Sequence, residues 1–188
     1  ADGSVADVIN TVEALHEKRL ASFADRIAAQ VPRPHVVLIA GPSSAGKTTF
    51  AMRLCTHLRV IGLVPTLIST DNYFVGDALN PRDEQGNLDY EHLDAVDRPR
   101  LNADIVKLLA GETIPLRKFD FFKHEGYDSD ETLTVDRERG ILVIEGIHSL
   151  NPDLTPAIPR EEKFLIYVNA LTQLAIDNNN RISTIDNR

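Results

Sequence analysis

The chain has 188 residues, 43% of them hydrophobic, which is enough for one domain with a substantial core and too few for two independent ones. Its 20 basic and 28 acidic residues leave a net charge of -8, which argues against a broad electrostatic grip on nucleic acid or on an anionic membrane. Cys55 is the only cysteine, so an internal disulfide is excluded and a reducing, cytoplasmic setting is expected.

No apolar run approaches the roughly 20 residues that a membrane helix needs, and Ala1-Asp2-Gly3-Ser4 lacks the basic and apolar regions of a secretory signal. The first residue is not methionine, so the numbering fits a start within a longer protein or behind a short added remnant.

Val5, Val8, Ile9, Val12 and Leu15 recur at helical spacing, and Leu20, Phe23, Ile27 and Val31 extend the stripe to Pro32 and Pro34. The pattern predicts an amphipathic helix or helix pair over residues 1–34, packed on this domain or a neighbouring one. Residues 35–188 form the main domain. Its first segment, Val36-Val37-Leu38-Ile39-Ala40, is an unbroken apolar run of the kind that a central parallel strand requires. Similar runs follow at Val64 to Ile68, Ile141 to Ile144 and Phe164 to Val168, with helical patterns at Thr48 to Val60 and Leu101 to Ala110. Strands alternating with helices imply an α/β domain with a mostly parallel sheet flanked by helices. The polar stretches Gly76 to Asp97 and Lys123 to Arg139 read as loops or small excursions. In an open sheet of this class such excursions close over a ligand at the carboxyl ends of the strands.

Gly41-Pro42-Ser43-Ser44-Ala45-Gly46-Lys47-Thr48 satisfies every fixed position of G-x-x-x-x-G-K-[ST], directly after an apolar run and before a helical one. Such a P-loop turns backbone N–H groups toward phosphate oxygens, and the helix that follows adds its positive end. The phosphate-binding set is therefore Gly41, Ser43, Ser44, Ala45, Gly46, Lys47, Thr48 and Thr49. Lys47 is expected on the β- and γ-phosphates of ATP, and the Thr48 hydroxyl on Mg²⁺. Glu145 closes the Ile141 to Ile144 run, where a carboxylate reaches the same metal directly or through water. Asp71 ends the second run and is placed either to accept the proton of an attacking hydroxyl or to help hold the metal. Asp83-Glu84-Gln85-Gly86 matches the D-x-x-G of GTPases by letter, but no apolar strand precedes it and no N-K-x-D follows, which argues against that class.

From about residue 35 onward the chain resembles the uridine kinase and phosphoribulokinase family of P-loop kinases. The resemblance rests on GPSSAGKTTF, STDNYF, LDYEHLDAVD, KFDFFKHEG, IEGIHSLNP and ALTQLAIDNNNRISTIDNR in that order. In particular it resembles bacterial uridine-kinase-like proteins often fused to a threonyl-tRNA-synthetase-like N-terminal region. The resemblance implies that Asp71 is the catalytic base and that Tyr73 and Phe74 lie near the substrate; Lys47, from the loop chemistry above, is the other expected catalytic residue. It places Glu91 where the family binds ribose hydroxyls. Phe119, Phe121 and His124 fall where the family reads the base of a nucleoside, with Phe119 standing where the family has tyrosine. Asp186-Asn187-Arg188 is similar to the family's D-T-R, which gives Arg188 a substrate-side role. An arginine-rich lid and final helices would follow that point.

The expected activity is ATP- and Mg²⁺-dependent phosphorylation of a ribose hydroxyl on a uridine- or cytidine-like nucleoside, by a protein that binds neither nucleic acid nor membrane and is compatible with homo-oligomerisation. Two alternatives stand beside it: a nucleotide-binding regulatory module without transferase activity, and a kinase of a phosphosugar or other hydroxylated metabolite.

Overall fold

The computed structural model describes residues 4–169. A long helix, α1 (Val5–Ala28), opens it, started by a capping box in which Ser4 and Asp7 exchange side-chain to backbone hydrogen bonds. Four strands, β1 (Val36–Ala40), β2 (Val64–Ser69), β5 (Gly140–Glu145) and β6 (Lys163–Tyr167), form one parallel sheet in the order β2-β5-β1-β6. These are the four apolar runs of the sequence, and the α/β class expected from their alternation with helices is the one observed. The helices α2 (Lys47–Val60) and α3 (Arg98–Leu109) match the two helical patterns. α3 starts three residues earlier than its apolar spacing indicates, because the Asp97 side chain accepts the Arg100 amide and Pro99 favours the first turn.

Because strand side chains alternate between faces, the sheet separates two cores. Val37, Ile39, Ile141, Val143, Phe164 and Ile166 pack with residues of α1 and α2 on one side. Val36, Leu38, Ile68, Leu142 and Ile144 pack with α3 on the other. β1 and β5 are buried along their whole length, as a continuous apolar run demands.

The structure refines two sequence expectations. The segment from Lys123 to Arg139 is not merely a loop: Glu125–Leu133 is a strand, β4, paired antiparallel with β3 (Ile114–Asp120). Its acidic sequence hides the period-2 signal, since both faces of much of the strand reach solvent. The apolar stripe of α1 is also divided. Leu20, Ala24 and Ile27 are buried against the sheet, whereas Val5, Val8, Ile9, Val12 and Leu15 are all exposed. Helical spacing identifies one face, but it does not say how far along that face the rest of the fold extends. Among the described residues no helix is long and apolar enough to cross a membrane.

Candidate active site

The strand order brings the chemistry together. Glu145 ends β5, which lies between β1 and β2, and it stands in register with Ile39 on one side and Ser69 on the other. The P-loop therefore leaves β1 on one flank of Glu145, and the turn carrying Asp71 leaves β2 on the opposite flank. Gly146 keeps the second flank close: a Cβ there would collide with the side chain of Thr70.

The loop itself leaves backbone donors open. Gly46 caps α2 with φ 82° and offers no side-chain acceptor, and the first turn of α2 contains no acid. The leading N–H groups of the helix are thus left without a side-chain cap, and their partial positive charge is uncompensated. Ser44 also takes a left-handed conformation, φ 59°. At Gly41 the carbonyl of Val168 approaches so closely that any Cβ would strike it. Lys47 folds back to donate from Nζ to the Pro42 carbonyl at 3.0 Å, lying along the loop where phosphate oxygens would compete for it.

A cavity of about 360 Å³ opens over this loop, lined by Ser43, Ser44, Gly46, Lys47, Thr48, Thr49, Asp71, Glu145 and Ile147. Gly41 and Ala45 shape the loop without lining the cavity. Thr48 donates its hydroxyl to Glu145 Oε1 at 3.1 Å. Glu145 is 3% exposed, whereas Asp71 reaches solvent at the mouth. Partial desolvation raises the Asp71 pKa above its ordinary value, the Glu145 charge raises it further, and Lys47 opposes both. The hydroxyl of Thr48 and the two carboxylates are hard oxygen donors that suit Mg²⁺. Among the described residues no cluster of three or more His, Cys, Asp or Glu side chains could close around an ion.

The residues expected at the substrate divide. Tyr73 does not face an open site: it is 2% exposed and its phenol donates to Asp104 Oδ2 at 3.2 Å inside the core. Its neighbour Phe74 is also buried, and it anchors an aromatic group with Tyr90, Phe119 and Phe121 at ring separations of 5.1, 5.7 and 6.3 Å. Phe119 is buried in that group and Phe121 lies at its exposed edge. His124 ends the β3–β4 turn with φ 54°, and its Nδ1 lies 2.7 Å from the Tyr90 hydroxyl and 3.0 Å from Asp77 Oδ1.

Glu91, next to Tyr90, lines a recess with Pro42, Ser43, Ile147 and His148, so it stands between the P-loop and the aromatic group. His148 holds it there by a 2.8 Å contact from Nε2 to the Glu91 carbonyl. Tyr90, Asp77, Ile147 and His148 were not singled out from the sequence. The only available signal was adjacency: Tyr90 precedes Glu91, and Ile147 and His148 closely follow Glu145. Asp83 accepts the amides of Gln85 and Asn87, so the D-x-x-G segment is a capped turn. Arg188 lies outside the described residues.

A family model, that of the Phosphoribulokinase / Uridine kinase family, matches residues 36–182. The chain belongs to this family. Its relatives include the uridine kinase of Lactobacillus helveticus, 31% identical over 118 residues that cover 63% of this chain and 54% of that protein. The uridine kinase of Halobacterium salinarum is 32% identical over 115 residues, covering 61% and 48% respectively. The chain thus spans about half the length of the curated relatives it matches. A solved structure from Bacillus stearothermophilus, described as a possible uridine kinase, superposes with a TM-score of 0.62 at 23% identity, covering 80% of this chain and 79% of that one. This is a likeness of fold. Membership in the phosphoribulokinase/uridine kinase family supports a phosphotransferase.

Proposed function

We propose that this chain transfers the γ-phosphoryl group of ATP, with Mg²⁺, to a ribose hydroxyl of a nucleoside. The observation that carries the reading is the convergence of Lys47, Thr48, Asp71 and Glu145 on one cavity at the carboxyl ends of three adjacent strands. The open amides at the start of α2 and the Lys47 ammonium suit the polyphosphate of ATP. Thr48 and Glu145 are the residues that would hold Mg²⁺, with Asp71 within the same cavity. The ion, when bound, neutralises charge on the phosphate oxygens.

Asp71 lies beside the loop on a turn that leaves it accessible at the cavity mouth, which suits it to take the proton of the attacking hydroxyl. Its raised pKa makes the carboxylate a better proton acceptor than a free aspartate. Glu91, between loop and aromatic group, suits the hydroxyls of a ribose, and the exposed ring of Phe121 at the edge of the aromatic group, with His124 nearby, suits a planar base.

The test is a panel of nucleosides, phosphosugars and other hydroxylated metabolites, incubated with ATP and Mg²⁺ and read by mass spectrometry. Phosphorylated nucleosides are expected from the wild type, with a loss of at least about 100-fold for Asp71→Asn. Product from non-nucleosides alone would replace the acceptor in this reading. Tight ATP binding without product from any acceptor would replace catalysis with a binding role, and near-normal turnover by Asp71→Asn would remove Asp71 as the base.

A further inference from the structure

Asp104 is a carboxylate that the proposed chemistry does not use, yet it is 1% exposed on the inner face of α3. Burying an ionised acid is costly unless donors and cations surround it. Asp104 Oδ2 accepts the Tyr73 phenol at 3.2 Å and Arg100 Nε at 2.9 Å. The same guanidinium continues outward: its Nη2 contacts both carboxylate oxygens of Asp128 on β4, at 3.2 and 3.1 Å. Asp128 in turn accepts Arg117 Nη1 of β3 at 3.2 Å.

An unbroken series of side chains therefore runs from the β3–β4 hairpin, through α3, to Tyr73, two residues beyond Asp71. The residue after Tyr73 makes a second connection, because Phe74 packs against Phe119 and Phe121 of the hairpin. The hairpin thus grips the Asp71 turn twice, by charge through Tyr73 and by ring contacts through Phe74. A charged link of this kind has a preferred geometry that ring packing lacks, since the planar guanidinium must meet two carboxylates at once.

We infer that Asp104, Arg100 and Asp128 are positioning residues that couple the seating of the hairpin to the seating of the Asp71 turn. The catalytic consequence rests on the reading of Asp71 as the base; the mechanical coupling does not.

Two backbone hydrogen bonds report on the turn without reference to activity: the Val75 amide donates to the Ala95 carbonyl at 2.8 Å, and the Asp97 amide to the Tyr73 carbonyl at 2.7 Å. The hairpin also supplies its own control. Glu131 pairs with Lys118 across the same two strands, with no continuation into α3. In native-state hydrogen exchange of the whole chain, Asp128→Ala is expected to speed exchange at the Val75 and Asp97 amides at least about 5-fold, while Glu131→Ala stays within about 2-fold of wild type. Equal effects of the two variants, or no effect of either, would overturn the coupling.

With a substrate in hand, Asp128→Ala should lower kcat about 10-fold with KM for ATP unchanged, and should add no further loss in a Tyr73→Phe background. A purely additive loss would overturn the link through Tyr73. Should the wild type phosphorylate nothing, the functional reading fails, and the exchange experiment still decides the coupling.

Discussion

Glu145 accepts the Thr48 hydroxyl at 3.1 Å, joining the end of β5 to the first turn of α2 across 97 residues of sequence. Both groups are thereby held beside the P-loop before any phosphate arrives. Glu145→Gln keeps an acceptor for the hydroxyl but removes the charge a divalent cation would meet. The variant is expected to need much more Mg²⁺ for half-maximal rate and to lose about 100-fold in kcat. A Mg²⁺ titration of rate checks this, with metal-free nucleotide affinity expected to stay within about 3-fold of wild type because the loop amides are untouched.

Asp71 holds its proton more firmly than a free aspartate, through desolvation first and the Glu145 charge second. In the proposed role of base it must be ionised, so activity should rise with pH through an acid limb above the ordinary carboxylate value. Glu145→Gln removes a raising influence and should move that limb to lower pH; Lys47→Met removes a lowering influence and should move it higher. A pH profile of kcat/KM for each variant, measured at saturating Mg²⁺ where activity remains, reads the shifts.

The same shift has a stability sign. Because the folded chain binds this proton more tightly than the unfolded one, the favourable contribution is complete below the unfolded value of about 3.9. It is lost as pH rises through the raised folded value. Above that raised value the ionised carboxylate therefore works against folding. In metal- and nucleotide-free buffer, Asp71→Asn should melt at a higher temperature than wild type at pH 7, with the gain shrinking as the pH falls toward the carboxylate range. A melting series from pH 7 downward measures it.

Leu20 and Val8 belong to one apolar stripe on α1, but Leu20 is 0% exposed and Val8 57%. Leu20→Ala should cost about 2–5 kcal/mol, since it empties a filled site against the sheet. Val8→Ala should change stability by less than about 0.5 kcal/mol. Denaturant titrations of the two variants test the division of the helix.

Cys55 is buried on α2, and burial pushes its thiol up to about 11, against a smaller opposing effect of Arg59. At pH 8 the native chain should alkylate at least about 100-fold more slowly than the denaturant-unfolded chain, because both access and the thiolate are withheld. Timed alkylation with mass readout follows the opening of this core directly.

The convergence of the P-loop with Asp71 and Glu145 was legible in the sequence because its signals are local. Gly41 to Thr48 is contiguous, and Asp71 and Glu145 announce themselves as acids that end apolar runs. Parallel pairing then brings these ends together. The substrate side was less legible because it depends on tertiary contacts between ordinary residues. Tyr73 sits in a motif that points toward substrate, yet its ring turns inward to Asp104, a partner 31 positions away. Glu125–Leu133 reads as a loop because its acids mask alternation, and only its pairing with β3 reveals the strand. Tyr90 gained its place beside His124 through packing that no spacing rule anticipates.

The sheet works as a partition between two separately rooted assemblies. The helix that follows the P-loop stands in the layer it shares with α1, whereas the Asp71 turn and the hairpin stand in the layer of α3. Repacking beneath the hairpin can thus reshape the aromatic side of the candidate site while the P-loop keeps its foundations. A chain built this way is free to change its clientele without relearning its chemistry.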